Sequence, residues 1–144
     1  MRDILFRAKS NKTGKWLDGL LTKDQKGHFR IQFDPVRFSE IVISETVGQF
    51  TGLIDKNGTK IFEGDIIKYQ VFSNWKKKCG LDDARNIGIV FYNTDKASFY
   101  IRMVKKVFVS DYYYIGENDP LSITCALWGL EIIGNIYDNP ELLK

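Results

Sequence analysis

The chain has few of the residues that most often build metal centres and nucleophilic sites. Its 144 residues include one histidine, His28, and two cysteines, Cys79 and Cys125, which lie far apart in the sequence. A zinc site takes nitrogen and sulfur ligands in a set of about four, and a histidine-based triad would have to use His28. No serine or cysteine stands at an informative spacing from His28, so we assign this residue a structural role. We predict no metal, no cofactor and no enzymatic activity.

Long apolar runs and flexible tracts are missing as well. No apolar run approaches the roughly 18 residues of a membrane span, and the N-terminus lacks the apolar segment and cleavage site of a signal peptide. Two cysteines in an unsecreted chain indicate free thiols, so we expect a cytoplasmic protein without membrane contact. The 3 prolines and the absence of a glycine/serine tract leave no linker. The net charge of +3 with a pI near 8.8 falls short of the basicity that indicates nucleic-acid binding by itself.

The residues that are abundant favour β-structure. Aromatic residues make up 14% of the chain, and valine, isoleucine, tyrosine and phenylalanine dominate the apolar set. Apolar segments at 3–8 and 15–21 flank turn-forming residues at 10–14, which predicts an opening hairpin. Residues 29–33 alternate and should place Phe29, Ile31 and Phe33 on one face, while residues 36–48 fit either a strand or a short helix.

Further strands follow at short, regular spacing. Asp55-Lys56-Asn57-Gly58 predicts a hairpin turn of type I′, since Asn-Gly tolerates positive φ angles. A second hairpin is predicted across residues 93–96, and Pro140 suits the first position of a final helical turn over 139–143. Strands at this spacing without long helices between them predict a mainly β barrel.

Several blocks of this pattern carry a family resemblance. They are RDILFRA at 2–8, QFTGL at 49–53, DKNG at 55–58, FEGDII at 62–67 and IIGNIYDNPELL at 132–143. In this order the blocks resemble the opening strand, the central signature and the C-terminal signature of the YopX family, small proteins encoded by phages and prophages of bacteria.

The resemblance implies a fold, a setting and no established activity. It implies a mainly β protein with an N-terminal β-hairpin region at 1–48 and an SH3-like β-barrel at 49–144, which associates with itself inside a bacterial host cell. Segments 73–86 and 111–127 carry no recognisable family pattern. Because the family has no established activity, the resemblance supplies no functional residues.

Glu63-Gly64-Asp65 places two carboxylates close together at the start of a strand. Such a pair can act as general acid and base. The simpler interpretation is a turn, in which glycine allows the bend and the aspartate accepts hydrogen bonds from nearby N–H groups. We adopt the structural interpretation.

The loop between two predicted strands offers a site for nucleic acid. It contains Trp75, Lys76, Lys77 and Lys78, with Arg85 nearby in sequence. Lysines neutralise phosphates and an exposed aromatic ring can stack on a base. Two aspartates in the same loop offset part of this charge, and exposed lysines also serve solubility alone.

Aromatic residues near the C-terminus offer a protein interface. Tyr112, Tyr113 and Tyr114 are consecutive, so a strand would direct their rings to both of its faces. With Trp128 they form either core or an association surface. We predict a non-catalytic, homo-oligomeric interaction module with a host or phage protein as a further partner. The alternative is a nucleic-acid-binding accessory protein that acts through the lysine-rich loop.

Overall fold

The structure of the protein is a computed structural model. It describes residues 3–33, 38–70, 85–105, 118–120 and 129–144. The chain forms two compact units, Met1–Gly52 and Leu53–Lys144.

Strands account for nearly all the regular structure in the described residues. In chain order, β1 to β11 are Phe6–Lys9, Trp16–Lys23, Phe29–Gln32, Ser39–Ile41, Gly48–Ile54, Lys60–Phe62, Asp65–Gln70, Arg85–Asn93, Ser98–Lys105, Asn118–Pro120 and Glu131–Asn135. Two short 3₁₀ segments complete them, Ser44–Thr46 and Pro140–Leu143. No helix in this part of the chain is long and apolar enough to cross a membrane.

The strands belong to two sheets. The first has the order β4-β3-β2-β1-β5-β6 and the second the order β10-β9-β8-β7-β11. Neighbouring strands are antiparallel in both. β5 begins in the first unit, where it pairs with β1, and ends in the second.

The first unit curls around a small apolar core. A bridge between Ser10 and Val42 joins the end of β1 to the end of β4, and the Asn11 amide donates to the Ile41 carbonyl at 3.0 Å. Alternate residues of the strands point to the enclosed face, as a period of two requires. The core consists of Ala8, Ile31 and Val42, with Phe6, Leu17, Leu21, Phe29 and Val47 packed against them.

The second unit has its own core on one face of the second sheet. Val90 of β8 lies opposite Ile101 of β9, and both side chains are almost fully buried. The turn between these strands is fixed by Asn93, whose Oδ1 accepts the amides of Asp95 and Lys96 at 3.0 and 3.2 Å. The core consists of Ile61, Ile67, Tyr69, Val90, Phe99, Ile101 and Leu130, with Leu53 and Ile132 against them.

The prediction of a mainly β fold is confirmed, as are the opening hairpin, the β8–β9 hairpin and the final helical turn. The ambiguous stretch at 36–48 contains both β4 and a 3₁₀ turn. Among the described residues neither sheet closes on itself as a ladder, so the SH3-like barrel stays a prediction.

The turn after β5 differs in type from the prediction. A type I′ turn needs positive φ at both Asn57 and Gly58, but only Gly58 adopts it, with φ of +83°. The Asp55 amide donates to the Thr59 carbonyl at 2.8 Å, and the Gly58 amide donates to the Asp55 carbonyl at 3.0 Å. The loop is therefore wider than two residues. The type I′ prediction was wrong because the Asp55 side chain organises the turn.

Candidate functional site

Most side chains that the sequence predicts for binding lie outside the described residues. They are Trp75, Lys76, Lys77 and Lys78 of the loop, and Tyr112, Tyr113, Tyr114 and Trp128 of the aromatic set. Arg85 is the first residue of β8, and its backbone pairs with Gln70 of β7. The loop prediction thus concerns the connection from β7 to β8.

The Glu63-Gly64-Asp65 corner is a turn whose carboxylates accept backbone hydrogen bonds. Asp65 is buried, and its Oδ2 accepts the Phe62 amide at 2.8 Å. Glu63 Oε1 accepts the Tyr92 amide at 3.2 Å. Gly64 has φ of +81°, a conformation that costs glycine little. This geometry confirms the turn chemistry that the sequence predicts.

The same corner joins two blocks of the sequence that lie far apart. The Gly64 amide donates to the Val90 carbonyl of β8 at 2.9 Å, and the Gly64 carbonyl accepts the Ile136 amide at 2.9 Å. Ile136 belongs to the C-terminal block. The central and C-terminal blocks of the resemblance therefore contact each other directly.

A second contact between these blocks is built on the Asp55 carboxylate. Asp55 Oδ1 accepts the amides of Asn57 and Thr59 at 2.8 and 2.9 Å. Its Oδ2 accepts the Ile132 amide of β11 at 3.3 Å, across 77 positions of sequence. One side chain thus shapes its own turn and fastens that turn to a distant strand.

Lys56 adds two bonds to Leu130 and Glu131, where β11 begins. Its amide donates to the Leu130 carbonyl at 2.9 Å, and its Nζ lies 2.8 Å from Glu131 Oε2. We call the contacts of Asp55 and Lys56 with Leu130, Glu131 and Ile132 the Asp55 clip. The clip thus joins the DKNG block to the start of the C-terminal block in the folded chain.

The carboxylate of Asp55 is held in its charged form. Burial on its own would raise the pKa, but hydrogen bonds from the amides of Thr59, Ile132 and Asn57 and from the Asn57 side chain outweigh it. The pKa of Asp55 therefore lies below its ordinary value of 3.8. Hydrogen bonds to the charged form have this effect because protonation removes an acceptor.

The clip makes stability depend on acid pH. Because the folded pKa of Asp55 is lowered, its contribution is present above the unfolded value of 3.8 and is lost as the pH falls through the folded pKa. We expect the midpoint of thermal unfolding to fall as the pH drops below about 4. Unfolding curves recorded at a series of pH values measure this effect.

Asp55→Asn provides the comparison for the acid limb, since an amide does not titrate in this range. The variant should start from a lower midpoint and lose less of it between neutral and acid pH. An equal loss in both proteins would show that Asp55 does not contribute to the acid limb.

His28 lies in the turn between β2 and β3. Its Nδ1 is 3.2 Å from Asp24 Oδ2, and its side chain is half exposed. Asp24 Oδ1 accepts the amides of His28 and Lys26, both at 2.9 Å, and the His28 amide is the main cause that lowers the pKa of Asp24. The histidine thus belongs to a hydrogen-bonded turn. No group of three or more histidine, cysteine, aspartate or glutamate side chains in the described ranges is placed to hold a metal ion.

An exposed aromatic pair stands out in the first unit. Phe33 and Phe38 are 50% and 60% exposed, and the Phe33 amide donates to the Phe38 carbonyl at 3.3 Å. We call them the phenylalanine pair. Alternation predicts Phe29, Ile31 and Phe33 on one face. Phe29 and Ile31 pack in the core, whereas Phe33 follows the end of β3 and is exposed. Sequence reasoning missed the pair as a surface, although the signal was an aromatic residue on either side of the Asp34-Pro35 dipeptide.

The chain is similar to known proteins over nearly its whole length. A family model described as YopX protein matches residues 5–144. The chain is also similar to a solved structure, the crystal structure of protein EF1440 from Enterococcus faecalis, with 23% identity over 100% of both chains and a TM-score of 0.54. At that identity the likeness shows the fold alone. No curated protein matches the chain. Because the family model spans nearly the whole sequence, the chain belongs to the YopX protein family.

Proposed function

We propose that the protein is a non-catalytic interaction module that associates with copies of itself during the life of a phage or prophage in a bacterial host. The observation that carries the proposal is the phenylalanine pair on the first unit. A host or phage protein is a further partner for the same surface. The SH3-like barrel that the resemblance implies for the second unit belongs to this proposal.

The phenylalanine pair has the properties of an association surface. The two phenylalanine residues are joined by a backbone hydrogen bond, and each side chain is at least half exposed and presents apolar area to solvent. Transfer of a phenylalanine side chain from water to an apolar contact contributes about 2 kcal/mol. Aromatic residues are also enriched in protein interfaces relative to the rest of the surface. Covering this pair with a second protein surface would therefore stabilise a complex.

The neighbouring strand edge is a poorer surface for association. β4 lies at one end of the first sheet, where unpaired N–H and C=O groups can recruit another strand. The Arg30 guanidinium, however, donates to the Ser39 carbonyl and to Ser39 Oγ, both at 3.0 Å. The Ile41 carbonyl accepts the Asn11 amide. These bonds occupy acceptors of β4, so packing of rings is favoured over strand addition.

Replacing the phenylalanine pair tests the proposal. Phe33→Ser with Phe38→Ser should shift the protein toward the monomer, with a dissociation constant raised at least about tenfold if two rings are buried. Analytical ultracentrifugation over a range of concentrations measures the equilibrium.

The matched control is Ile54→Ser, since Ile54 is 55% exposed and also apolar. This variant should associate like the natural protein. A natural protein that is monomeric at all concentrations, or a double variant with unchanged association, would contradict the proposal.

A second candidate function is the binding of nucleic acid by the loop between β7 and β8. Basic residues occupy the strand positions at the base of this loop, since Ile87 pairs with both Lys68 and Lys105. On the hairpin of β8 and β9, the Arg102 guanidinium lies over the Phe91 ring at 4.8 Å from its centroid. Cationic and aromatic groups in this combination suit single-stranded nucleic acid. Lys76, Lys77 and Lys78 would supply the phosphate contacts.

A further inference from the structure

The positive charge of the chain is concentrated in its first hairpin. From Phe6 to Lys23 the hairpin has five basic residues and one acidic residue, a larger excess than the +3 of the whole chain. They are Arg7, Lys9, Lys12, Lys15 and Lys23, against Asp18. A local excess of this kind attracts polyanions.

The ring of Trp16 lies among these charged side chains. Trp16 of β2 is directly opposite Lys9 of β1, and Arg7 is opposite Asp18. The Arg7 guanidinium lies 4.7 Å from the centroid of the Trp16 ring, and Lys9 Nζ lies 5.4 Å from it. All four residues share the face of the hairpin that points away from Ala8 and Leu17 of the core.

The turn of the hairpin is held in one conformation. Ser10 is fully buried, and its Oγ accepts the amides of Lys12 and Thr13 at 3.1 and 3.0 Å. The Ser10 amide donates to the Lys15 carbonyl at 2.8 Å. The backbone of this turn thus keeps Lys12 and Lys15, both exposed, in fixed positions beside the strand that bears Trp16. Fixed positions reduce the entropy that binding would cost.

The acidic residues near this surface include Asp18 and Glu40. Asp18 stands opposite Arg7 in the ladder. Glu40 Oε1 accepts the Ser10 hydroxyl at 2.7 Å from beneath the turn. The lysines at positions 9, 12 and 15 outnumber these two carboxylates at the turn end of the hairpin.

We propose that this face of the first hairpin binds single-stranded nucleic acid. Lys9, Lys12 and Lys15 contact successive phosphates, and a base stacks on Trp16. Lys9 has a flexible stem, so it can move from the ring to a phosphate while the base takes its place on the ring. A duplex keeps its bases stacked inside and an acidic peptide has few flat rings, so the tryptophan favours a single strand over either. The surface uses neither residue of the phenylalanine pair and does not depend on the proposed self-association.

Fluorescence anisotropy of a labelled oligothymidylate tests the inference, first at low salt and then in a salt titration. The first variant combines Lys9→Ala, Lys12→Ala and Lys15→Ala. Its affinity should fall at least about tenfold, and the magnitude of the slope of log K against log salt should decrease by about 2 for three lost phosphate contacts. The matched control combines Lys26→Ala, Lys60→Ala and Lys96→Ala, which remove the same charge from exposed positions elsewhere.

A second variant separates stacking from charge. Trp16→Leu should weaken binding about tenfold, as expected for one stacked base, and leave the salt slope unchanged. Trp16→Phe keeps a ring and should retain most of the affinity. Circular dichroism of each variant shows that the loss is not caused by unfolding.

Four results would overturn the inference. They are no binding by the natural protein at low salt, equal losses in the hairpin and control triples, a loss confined to a triple alanine variant of Lys76, Lys77 and Lys78, and tight binding of heparin that Trp16→Leu leaves unchanged. The third result would assign the binding to the loop between β7 and β8. The fourth would identify a general polyanion surface.

Discussion

Asp55→Ala is expected to lower the free energy of unfolding by about 3 kcal/mol, because three backbone amides lose their acceptor at once. These amides belong to Asn57, Thr59 and Ile132. A hydrogen bond of this kind to a carboxylate contributes about 1 kcal/mol, and alanine offers no replacement acceptor. Denaturation by urea, followed by far-ultraviolet circular dichroism, measures the loss.

Hydrogen exchange can also show which part of the structure loses stability in Asp55→Ala. Hydrogen exchange of the Thr59 and Ile132 amides should accelerate most, since Asp55 bonds both directly. Because Ile132 is distant in sequence, its faster exchange would report separation of the turn from β11. Unchanged protection at Ile132 would contradict the role of the clip as a fastening between the two segments.

The matched control for Asp55→Ala is Asp95→Ala. Asp95 is an exposed aspartate in the turn between β8 and β9, so the same chemical change there should alter stability by no more than about 0.5 kcal/mol. Asp55→Asn should lie between the two, since one oxygen of the amide still accepts while its NH₂ group cannot. Equal effects at positions 55 and 95 would show that burial and hydrogen bonding of Asp55 add nothing.

Local patterns in the sequence predicted local structure well. Alternation identified β3 and placed Phe29 and Ile31 on one face, and that face packs in the core. Turn-forming residues identified the hairpins, and Pro140 marked the final 3₁₀ turn. These predictions succeed because the period of side chains along a strand, and the φ preferences of glycine and proline, depend only on neighbouring residues.

Contacts between segments far apart in the chain could not be predicted from such local patterns. Nothing near Asp55 in the sequence indicates that its carboxylate accepts an amide 77 positions away. Nor does alternation show that the core of the first unit includes Ile31 and not Phe33, since that depends on where the partner strands end. The turn type was missed for a related reason, because a side-chain acceptor overrode the preference of Asn-Gly.

The two candidate surfaces for nucleic acid also differ in how far the sequence alone reveals them. Composition marked the lysine-rich loop, because consecutive like charges are visible in the sequence alone. The cluster around Trp16 is assembled by register, since Arg7 and Lys9 meet the ring only when β1 pairs with β2. A pairing of this kind becomes visible when strands are aligned against each other and not when each is read alone.

Gly19→Ala is expected to destabilise the first unit by about 2 kcal/mol, because the added methyl group has no room. A Cβ atom at this position would lie 2.2 Å from the Gln32 carbonyl oxygen and 3.2 Å from the Phe33 Cα. Both are backbone atoms, so β2 and β3 must move apart to admit it. Chemical denaturation of the variant measures the cost.

The same substitution should disturb the phenylalanine pair. Gly19 lies opposite Phe6 in the ladder and against the backbone of Phe33, so a shift of β3 changes where the Phe33 ring lies. We therefore expect weaker self-association together with lower stability.

The control is Gly14→Ala, where φ of +69° strains the alanine but no atom lies within 4 Å of the added carbon. That strain costs about 1 kcal/mol and leaves β3 in place, so Gly14→Ala should retain its association. Equal stability of the two variants would contradict the close approach of β2 and β3. Loss of association in Gly14→Ala as well would show that stability alone controls self-association.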